Sequence, residues 1–153
     1  MPTTGAYNEP LTFVAINYLI FGFLTVLFDP EIMEGLYDSA VEFSLIAIFM
    51  TVFMIVLGII STFFGAAIYD AIYKLLGGTG DYRGTVRFIS YTSSVLAFAW
   101  IPVIGWFLQL YGIYLYIVGG KFVHNVSMEK SAIAIFLPIL FIIIIGAIGA
   151  LAA

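Results

Sequence analysis

The sequence predicts an all-α integral membrane protein with five transmembrane helices, and three observations support this fold class. The 153 residues are 63% hydrophobic and only 9% charged, whereas a soluble domain carries about 25% charged residues. Five long apolar runs follow one another, and the few charges separate by sign between the segments that connect them. A soluble fold of this length could not bury so much apolar surface, so we expect lipid to be its main solvent.

The cationic residues predict the orientation in the membrane. All five lie in the second and fourth connections: Lys74, Arg83, Arg87, Lys121 and Lys130. The first connection carries only acids: Asp29, Glu31, Glu34, Asp38 and Glu42. Because Lys and Arg stay on the cytoplasmic side during insertion, the pattern predicts a cytoplasmic N-terminus and a C-terminus outside.

The first two spans are predicted at about 11–28 and 43–69. Residues 1–10 form a short tail that lacks the positive charge of a signal peptide, and Pro10 suits the first turn of a helix. At 1.5 Å per residue the first span is about 27 Å long, just enough to cross the hydrocarbon. The acidic connection is hydrophobic at residues 32, 33, 36 and 37, a helical spacing. It is either a short helix on the membrane surface or an acidic turn.

The last three spans are predicted at about 85–101, 105–119 and 132–151, which completes a single five-helix domain over residues 11–153. The glycine-rich stretch LGGTGDYRGT precedes the third span, and Pro102 ends it. Because the connection to the fourth span is very short, the third and fourth helices should be antiparallel neighbours. Pro138, inside the fifth span, should bend that helix or open its hydrogen-bond ladder.

Small residues mark helix faces on which other helices can pack closely. Gly105, Gly112 and Gly119 are spaced by seven and share one face of the fourth span. We favour a contact inside the same bundle over a contact with a partner chain. Gly146 and Ala150, on the very apolar last span, are candidates for self-association.

A polar cluster lies near the middle of the third span: Tyr91, Thr92, Ser93 and Ser94. Asn17 and Gln109, from the first and fourth spans, are candidate partners. The cluster is either a polar seam beside a small hydrated cavity or a set of helix-to-helix hydrogen bonds without a ligand, and we favour the second interpretation. Ser and Thr hydroxyls can also bond to the carbonyl four residues earlier.

The residue inventory argues against an enzyme and against cofactor, metal and nucleic-acid binding. Without cysteine, and with His124 as the single histidine, the chain cannot assemble a transition-metal site. It has no basic stripe for nucleic acid, and GGTGDYRG lacks the lysine of a phosphate loop. We expect Asp70 and Lys74, one helical turn apart, to form an interfacial ion pair, and His124 to be a solvated loop residue.

The ordered landmarks of the chain resemble those of the Yip family, membrane proteins known as interactors of Rab GTPases. The resemblance lies in LLGGTGDYRGTVRFISYTSS, in the proline after the third span and in GGKFVHNVSMEKSAIAIFLP. The residues that carry it, and the interaction residues that it implies, are Gly77, Gly78, Gly80, Arg83, Tyr91, Pro102, His124, Ser127 and Lys130. It covers roughly residues 10–153.

The resemblance implies a five-helix membrane domain with a cytoplasmic N-terminus, from a family implicated in vesicle traffic, Rab binding and membrane shaping. Because only about ten residues precede the first span, the chain looks like a minimal prokaryotic member, an integral protein of a prokaryotic cell membrane. Its expected function is a non-enzymatic scaffold that organises or bends the bilayer. Its expected partners are membrane lipid and a second copy or another membrane protein. The alternative, from the polar cluster and Pro138, is a small channel or carrier for a polar or lipid-like solute.

Overall fold

The chain forms a bundle of helices. The structure, a computed structural model, describes residues 7–28, 34 and 40–152. Within these ranges it contains no strand, and its helices are α1 (Asn8–Phe28), α2 (Ala40–Leu75), α3 (Tyr82–Thr92), a 3₁₀-helix (Ser93–Phe98), α4 (Ile104–His124) and α5 (Met128–Ala152). The predicted all-α fold is confirmed. The predicted surface helix or acidic turn around residues 32–37 lies outside the described residues, apart from residue 34.

Three of the described helices are long and apolar enough to cross a membrane: Asn8–Phe28, Ser44–Leu75 and Met128–Ala150. They correspond to the predicted first, second and fifth spans. Most of their apolar side chains are exposed on the outside of the bundle, as expected where lipid is the solvent. The last of them continues as one helix through Pro138.

The predicted third span, a continuous helix over 85–101, differs from the observed structure. The chain enters α3 earlier, because the Asp81 side chain accepts a 3.0 Å bond from the Gly84 amide and caps the helix. After Thr92 the helix tightens into the 3₁₀-helix. Here the Ser93 hydroxyl donates to the Ser90 carbonyl at 2.6 Å, and such local side-chain bonds compete with α-helical pairing.

The element formed by α3 and the 3₁₀-helix is the centre of the bundle. It packs against α1, α2 and α4, while α5 packs mainly against α4 and less against α2. The predicted neighbours, the third and fourth helices, are therefore in contact. They are joined by a tight turn in which Val103 has a φ of 66° and the Ile104 amide bonds the Pro102 carbonyl at 2.7 Å.

Candidate functional site

The glycine-rich connection after α2 turns back sharply and is held by α5. Gly77 has a φ of +86°, a left-handed conformation that glycine adopts without strain. The Gly78 amide donates to the Tyr73 carbonyl at 2.8 Å. From α5, the Lys130 ammonium donates to the Leu76 carbonyl at 2.9 Å. A cation in the first turn of α5 therefore satisfies a free carbonyl at the end of α2.

The same connection also lies directly on the end of α4. The Thr79 amide donates to the His124 carbonyl at 2.9 Å, and the Asn125 side chain donates to the Thr79 hydroxyl at 3.2 Å. A side chain at Gly80 would put its Cβ 2.7 Å from Nδ1 of His124, so this approach requires glycine. The connection after α2 and the connection after α4 thus meet at one end of the bundle, and the five cations lie in the helices that flank them.

Three buried rings occupy the space beneath these connections. The Tyr73 and His124 rings stack with centroids 4.2 Å apart and planes 7° from parallel. The Phe88 ring meets both edge-on, at 6.3 Å from Tyr73 and 6.4 Å from His124. The three side chains are at most 1% exposed, so the stack joins α2, α3 and α4 as a small close-packed core.

The Tyr73 hydroxyl connects this stack to α5. It lies 2.8 Å from the Ser131 hydroxyl oxygen, and Ser131 donates its single proton to the Ile117 carbonyl at 2.6 Å. Tyr73 is therefore the donor to Ser131. A Cβ at Gly120 would overlap the Tyr73 hydroxyl. Glycine at this position of α4 is thus what lets the tyrosine reach α5.

A second polar chain connects α2, α3 and α4. The Thr85 hydroxyl lies 2.8 Å from Nε2 of His124, 3.4 Å from the Asp70 carboxylate and 3.1 Å from the Asp81 carbonyl. The other Asp70 oxygen accepts a 2.7 Å bond from Lys74. The predicted Asp70–Lys74 ion pair is confirmed, and its carboxylate belongs to a larger network.

We call this set of side chains the junction cluster: Asp70, Tyr73, Thr85, Phe88, His124 and Ser131. That Tyr73, Thr85 and Phe88 form a site was not predicted from the sequence. One feature of the sequence could have indicated this site. Asp70 and Tyr73 are three residues apart and hence on one helix face, just before a glycine-rich turn. All six members are less than 9% exposed, which leaves no room for a substrate among them.

The expectation that His124 is a solvated loop residue is wrong. It ends α4 and is 0% exposed, because the helix continues past Gly119 and stops only at Asn125, whose φ is 52°. Burial is the main cause that lowers the pKa of His124, and Lys74 lowers it further, while Asp70 and Asp81 act in the opposite direction. Its Nδ1 has no hydrogen-bond partner among the described residues.

The predicted polar cluster of the third span satisfies much of its hydrogen bonding within its own helix. The Thr92 hydroxyl donates to the Phe88 carbonyl at 2.8 Å, and Ser93 is bonded to Ser90 as described above. Ser94 is half-buried in the 3₁₀-helix. The Tyr91 ring packs edge-on against Phe13 of α1 at 5.3 Å.

The two candidate partners of this cluster differ in their surroundings. The Asn17 amide donates to the Phe13 carbonyl of its own helix at 2.7 Å, and Gln109 lies on the exposed side of α4. Beside Tyr91 and Thr92, a groove of about 420 Å³ opens between α3 and α4, and its other lining residues are apolar or glycine. The Asn17 amide is thus used within α1, and Gln109 is exposed rather than buried against the third-span hydroxyls.

The glycines of α4 make contacts inside the bundle, the interpretation that the sequence favoured. A Cβ at Gly105 would meet Ala99, one at Gly112 would meet Val95, and one at Gly119 would meet Phe88. The small residues near the C-terminal end of α5 have open space around them instead. A Cβ at Gly146 would meet no described atom within 4 Å, and Ala150 is exposed.

The remaining motif residues cap or flank the same end of the bundle, except for Pro102. The Ser127 hydroxyl accepts a 3.3 Å bond from the Lys130 amide in the first turn of α5. The Arg83 guanidinium lies 5.7 Å from the ring centroid of Tyr7, just before α1. Pro102 is exposed in the turn before α4. In the described part of the chain, no group of three His, Asp or Glu side chains is placed to hold a metal ion.

Comparison with known proteins identifies the family. The family model of the Yip1 domain matches residues 2–151, a range that includes the glycine-rich connection, the junction cluster and all the helices but the last residue of α5. Searches of curated proteins and of solved structures gave no significant match. Because the match covers nearly the whole chain, and because the fold of the described residues is all-helical with three helices long and apolar enough to cross a membrane, the protein belongs to the Yip1 domain family of membrane proteins.

Proposed function

We propose that the protein is a non-enzymatic membrane scaffold that organises or shapes the bilayer in which it sits. The observation that carries the proposal is that the buried polar side chains hydrogen-bond within the protein and hold its helices together. In the junction cluster the Asp, Tyr, Thr, His and Ser side chains bond one another and the backbone. They join four helices at one end, and the long apolar helices extend from that junction. Family membership supports a role in the membrane.

We further propose five spans, with the N-terminus and both basic connections on the cytoplasmic side. The hydrogen bonds between the two connections support this, because segments in contact must lie on one side of a bilayer. The cation–π contact of Arg83 with Tyr7 adds the start of α1 to that side. At 1.5 Å per α residue and 2.0 Å per 3₁₀ residue, α3 with the 3₁₀-helix is about 28 Å long and α4 about 31 Å, long enough to cross with the junction-cluster end, including His124, at the cytoplasmic surface.

A scaffold acts on lipid through its outer surface, and this surface is strongly apolar. On α2 the Phe64 side chain is 68% exposed, and on α5 Ile142 is 69% exposed. We propose membrane lipid as the main partner of this surface. A second copy of the chain, or another membrane protein, is the proposed partner of the open face with Gly146 and Ala150, since small residues let helices approach closely in lipid.

A carrier for polar solutes has less support. The Thr92 and Ser93 hydroxyls are bonded to backbone carbonyls of their own segment, and apart from Tyr91 and Thr92 the groove is lined by apolar residues and glycine. We therefore favour the scaffold.

Reconstitution tests the scaffold. The purified chain is incorporated into liposomes at increasing density, and vesicle diameter and shape are recorded by electron cryomicroscopy. We expect a density-dependent change that Arg83→Glu weakens by reversing charge beside Tyr7. Lys121→Glu is the control, since it reverses a charge whose ammonium lies over the Phe122 ring and not over Tyr7. The proposal is wrong if adding the chain does not change vesicle shape, and if Arg83→Glu gives the same vesicle shape and the same co-purified proteins as the natural chain.

The topology has a direct test because the chain contains no cysteine. Single cysteines are introduced as Arg83→Cys and Asn125→Cys, and a membrane-impermeant thiol reagent is added to right-side-out and inverted vesicles. We expect both cysteines to react only in inverted vesicles. Labelling of the two cysteines from opposite sides would contradict the topology.

A further inference from the structure

The environment of His124 leaves one of its two ring nitrogens without a partner. The side chain is 0% exposed. Its Nε2 lies 2.8 Å from the Thr85 hydroxyl, while Nδ1 has no partner among the described residues and lies close to Gly80. Nothing in the scaffold function explains a buried, half-satisfied histidine at this place.

Counting protons determines which nitrogen carries the hydrogen. The Thr85 hydroxyl has one proton to donate, and two of its neighbours, the Asp70 carboxylate and the Asp81 carbonyl, can only accept. If Thr85 donates to either acceptor, Nε2 must carry the proton and donate to Thr85. In the opposite arrangement, Nδ1 would hold a buried N–H without an acceptor, which is rarer and more costly than an unused acceptor.

We infer that His124 is a proton-sensitive latch: its neutral form, with the proton on Nε2, keeps the 77–81 connection on the end of α4, and protonation of Nδ1 releases that connection. The reason is steric and electrostatic. The connection comes close to Nδ1, since a Cβ built on Gly80 would lie 2.7 Å from this nitrogen, and Nδ1 has no acceptor for a proton among the described residues. A buried imidazolium without a partner on that nitrogen is strongly disfavoured.

The charged groups around the ring do not supply that partner. From α2, the Asp70 carboxylate is shared between Lys74 and Thr85, and from the connection the Asp81 carboxylate caps α3. From α5, Lys130 is bonded to the Leu76 carbonyl. Arg87 is a further buried cation on α3. Tyr73 stacks on the ring, and its hydroxyl donates to Ser131. Opening the connection to water is therefore the available way to solvate the charge.

The sign of the pH effect follows from the two states. In the open state His124 is in water with an ordinary pKa of 6.5, and burial lowers its pKa in the closed state. Above pH 6.5 the ring is neutral in both states and the closed form is fully stable. Below pH 6.5 the open state binds more protons, so its population rises as pH falls. The rise approaches about tenfold per pH unit until the closed-state pKa is passed.

Nitrogen NMR of the imidazole tests the first half of the inference, and the chain gives one histidine signal because it has one histidine. The full chain, labelled with ¹⁵N-histidine, is placed in nanodiscs and titrated from pH 8 to pH 5. We expect the shifts of a neutral ring protonated at Nε2 and a titration midpoint below 6.5. A ring protonated at Nδ1, or a midpoint at or above 6.5, would overturn the latch.

Hydrogen exchange tests the second half. The Thr79 amide, bonded to the His124 carbonyl, reports opening once intrinsic exchange is corrected for pH. In the natural chain we expect opening to increase below pH 6.5. In His124→Gln, whose amide can still donate to Thr85 but cannot titrate, opening should not depend on pH. An equal pH dependence in both would refute the latch.

A further pair of variants keeps the test decisive if His124→Gln does not fold. Thr85→Val removes the hydroxyl with little change of shape and should mix the two tautomers and shift the midpoint. Thr79→Val removes only the exposed bond to Asn125 and should leave both unchanged. If Thr85→Val leaves the tautomer and the midpoint of the natural chain, the hydroxyl does not set the latch and the inference fails.

Discussion

The junction-cluster end of the bundle and the C-terminal half of α5 cover their side chains in opposite ways. In the cluster, Tyr73, Phe88 and His124 are closed off by protein, and every helix from α2 to α5 contributes a side chain. In α5, Ile139 is 41% exposed and Ile148 61% exposed. Glycines show the same contrast: Gly120 has no room for a methyl group, whereas Gly149 has no described atom within 4 Å of one.

The contrast shows where the fold receives its specificity. Lipid solvates an exposed Leu or Ile as well as a protein core does, so apolar burial does little to choose between helix arrangements in a bilayer. Close packing and satisfied hydrogen bonds do choose. The junction cluster supplies both, and we expect the relative placement of α2 to α5 to depend on it far more than on the opposite half of α5.

The largest expected effect is the loss of the ring at Tyr73. Tyr73→Ala should destabilise the protein by about 4 kcal/mol, because it leaves a cavity beside His124 and Phe88 and leaves Ser131 without its donor. The matched control is Phe107→Ala on α4, where the ring is 69% exposed and lipid fills the space. Unfolding in a titration with dodecyl sulfate, followed by circular dichroism, measures both.

Equal destabilisation by Tyr73→Ala and Phe107→Ala would break the comparison. It would mean that a lipid-facing ring contributes as much to stability as one enclosed by three helices.

The next effect comes from adding one methyl group. Gly120→Ala should cost about 3 kcal/mol, since the new Cβ would overlap the Tyr73 hydroxyl and force it away from Ser131. The same change in open space, Gly149→Ala, should be neutral or stabilising by up to about 1 kcal/mol from helix propensity. Thermal unfolding in one detergent compares the two. A milder effect at Gly120 than at Gly149 would contradict the packing described for α4.

The sequence predicted the lipid-exposed half well and the junction poorly, for identifiable reasons. The spans 11–28, 43–69 and 132–151 are long apolar runs without a charged residue, so hydropathy alone is enough to predict them. The 3₁₀-helix after Thr92 depends on which backbone groups receive the Ser and Thr hydroxyls, and composition does not encode that. The cluster of hydroxyl side chains was visible in the sequence, but the carbonyl groups that accept their hydrogen bonds were not predicted from it.

The end of α4 shows a second reason. Hydropathy falls after Gly119, where Gly120 and Lys121 follow, and this marked the end of the predicted span. The helix continues because Gly120 makes room for Tyr73, a residue far away in sequence, and because Asn125 provides the left-handed stop. A glycine used for contact with a distant side chain looks the same in sequence as a glycine that ends a helix. His124 was misplaced for this reason.

A smaller effect separates two identical substitutions on α3. Thr85→Val removes a hydroxyl that joins His124 to Asp70, and should cost about 1.5 kcal/mol because buried partners lose their bond. Among the described residues, the Thr92 hydroxyl bonds the Phe88 carbonyl of its own helix and no other helix, so Thr92→Val should change stability by less than about 0.5 kcal/mol. Dodecyl sulfate titration of both variants gives the difference. A larger loss at Thr92 would mean that the polar cluster, rather than the junction, holds α3.

The smallest effect concerns the exposed Lys130, which stabilises the junction from outside. Lys130→Gln weakens its bond to the Leu76 carbonyl and should cost about 0.5 kcal/mol, the usual value for a cation at a helix C-terminus in water. The effect should be local: hydrogen exchange of the Gly77 and Gly78 amides should rise roughly twofold to threefold, since 1.4 kcal/mol corresponds to tenfold. Lys121→Gln is the control, because the Lys121 ammonium lies over the Phe122 ring and not on α2. Unchanged exchange in Lys130→Gln, or an equal rise in Lys121→Gln, would show that α5 does not cap α2 and that the junction ends at its buried members.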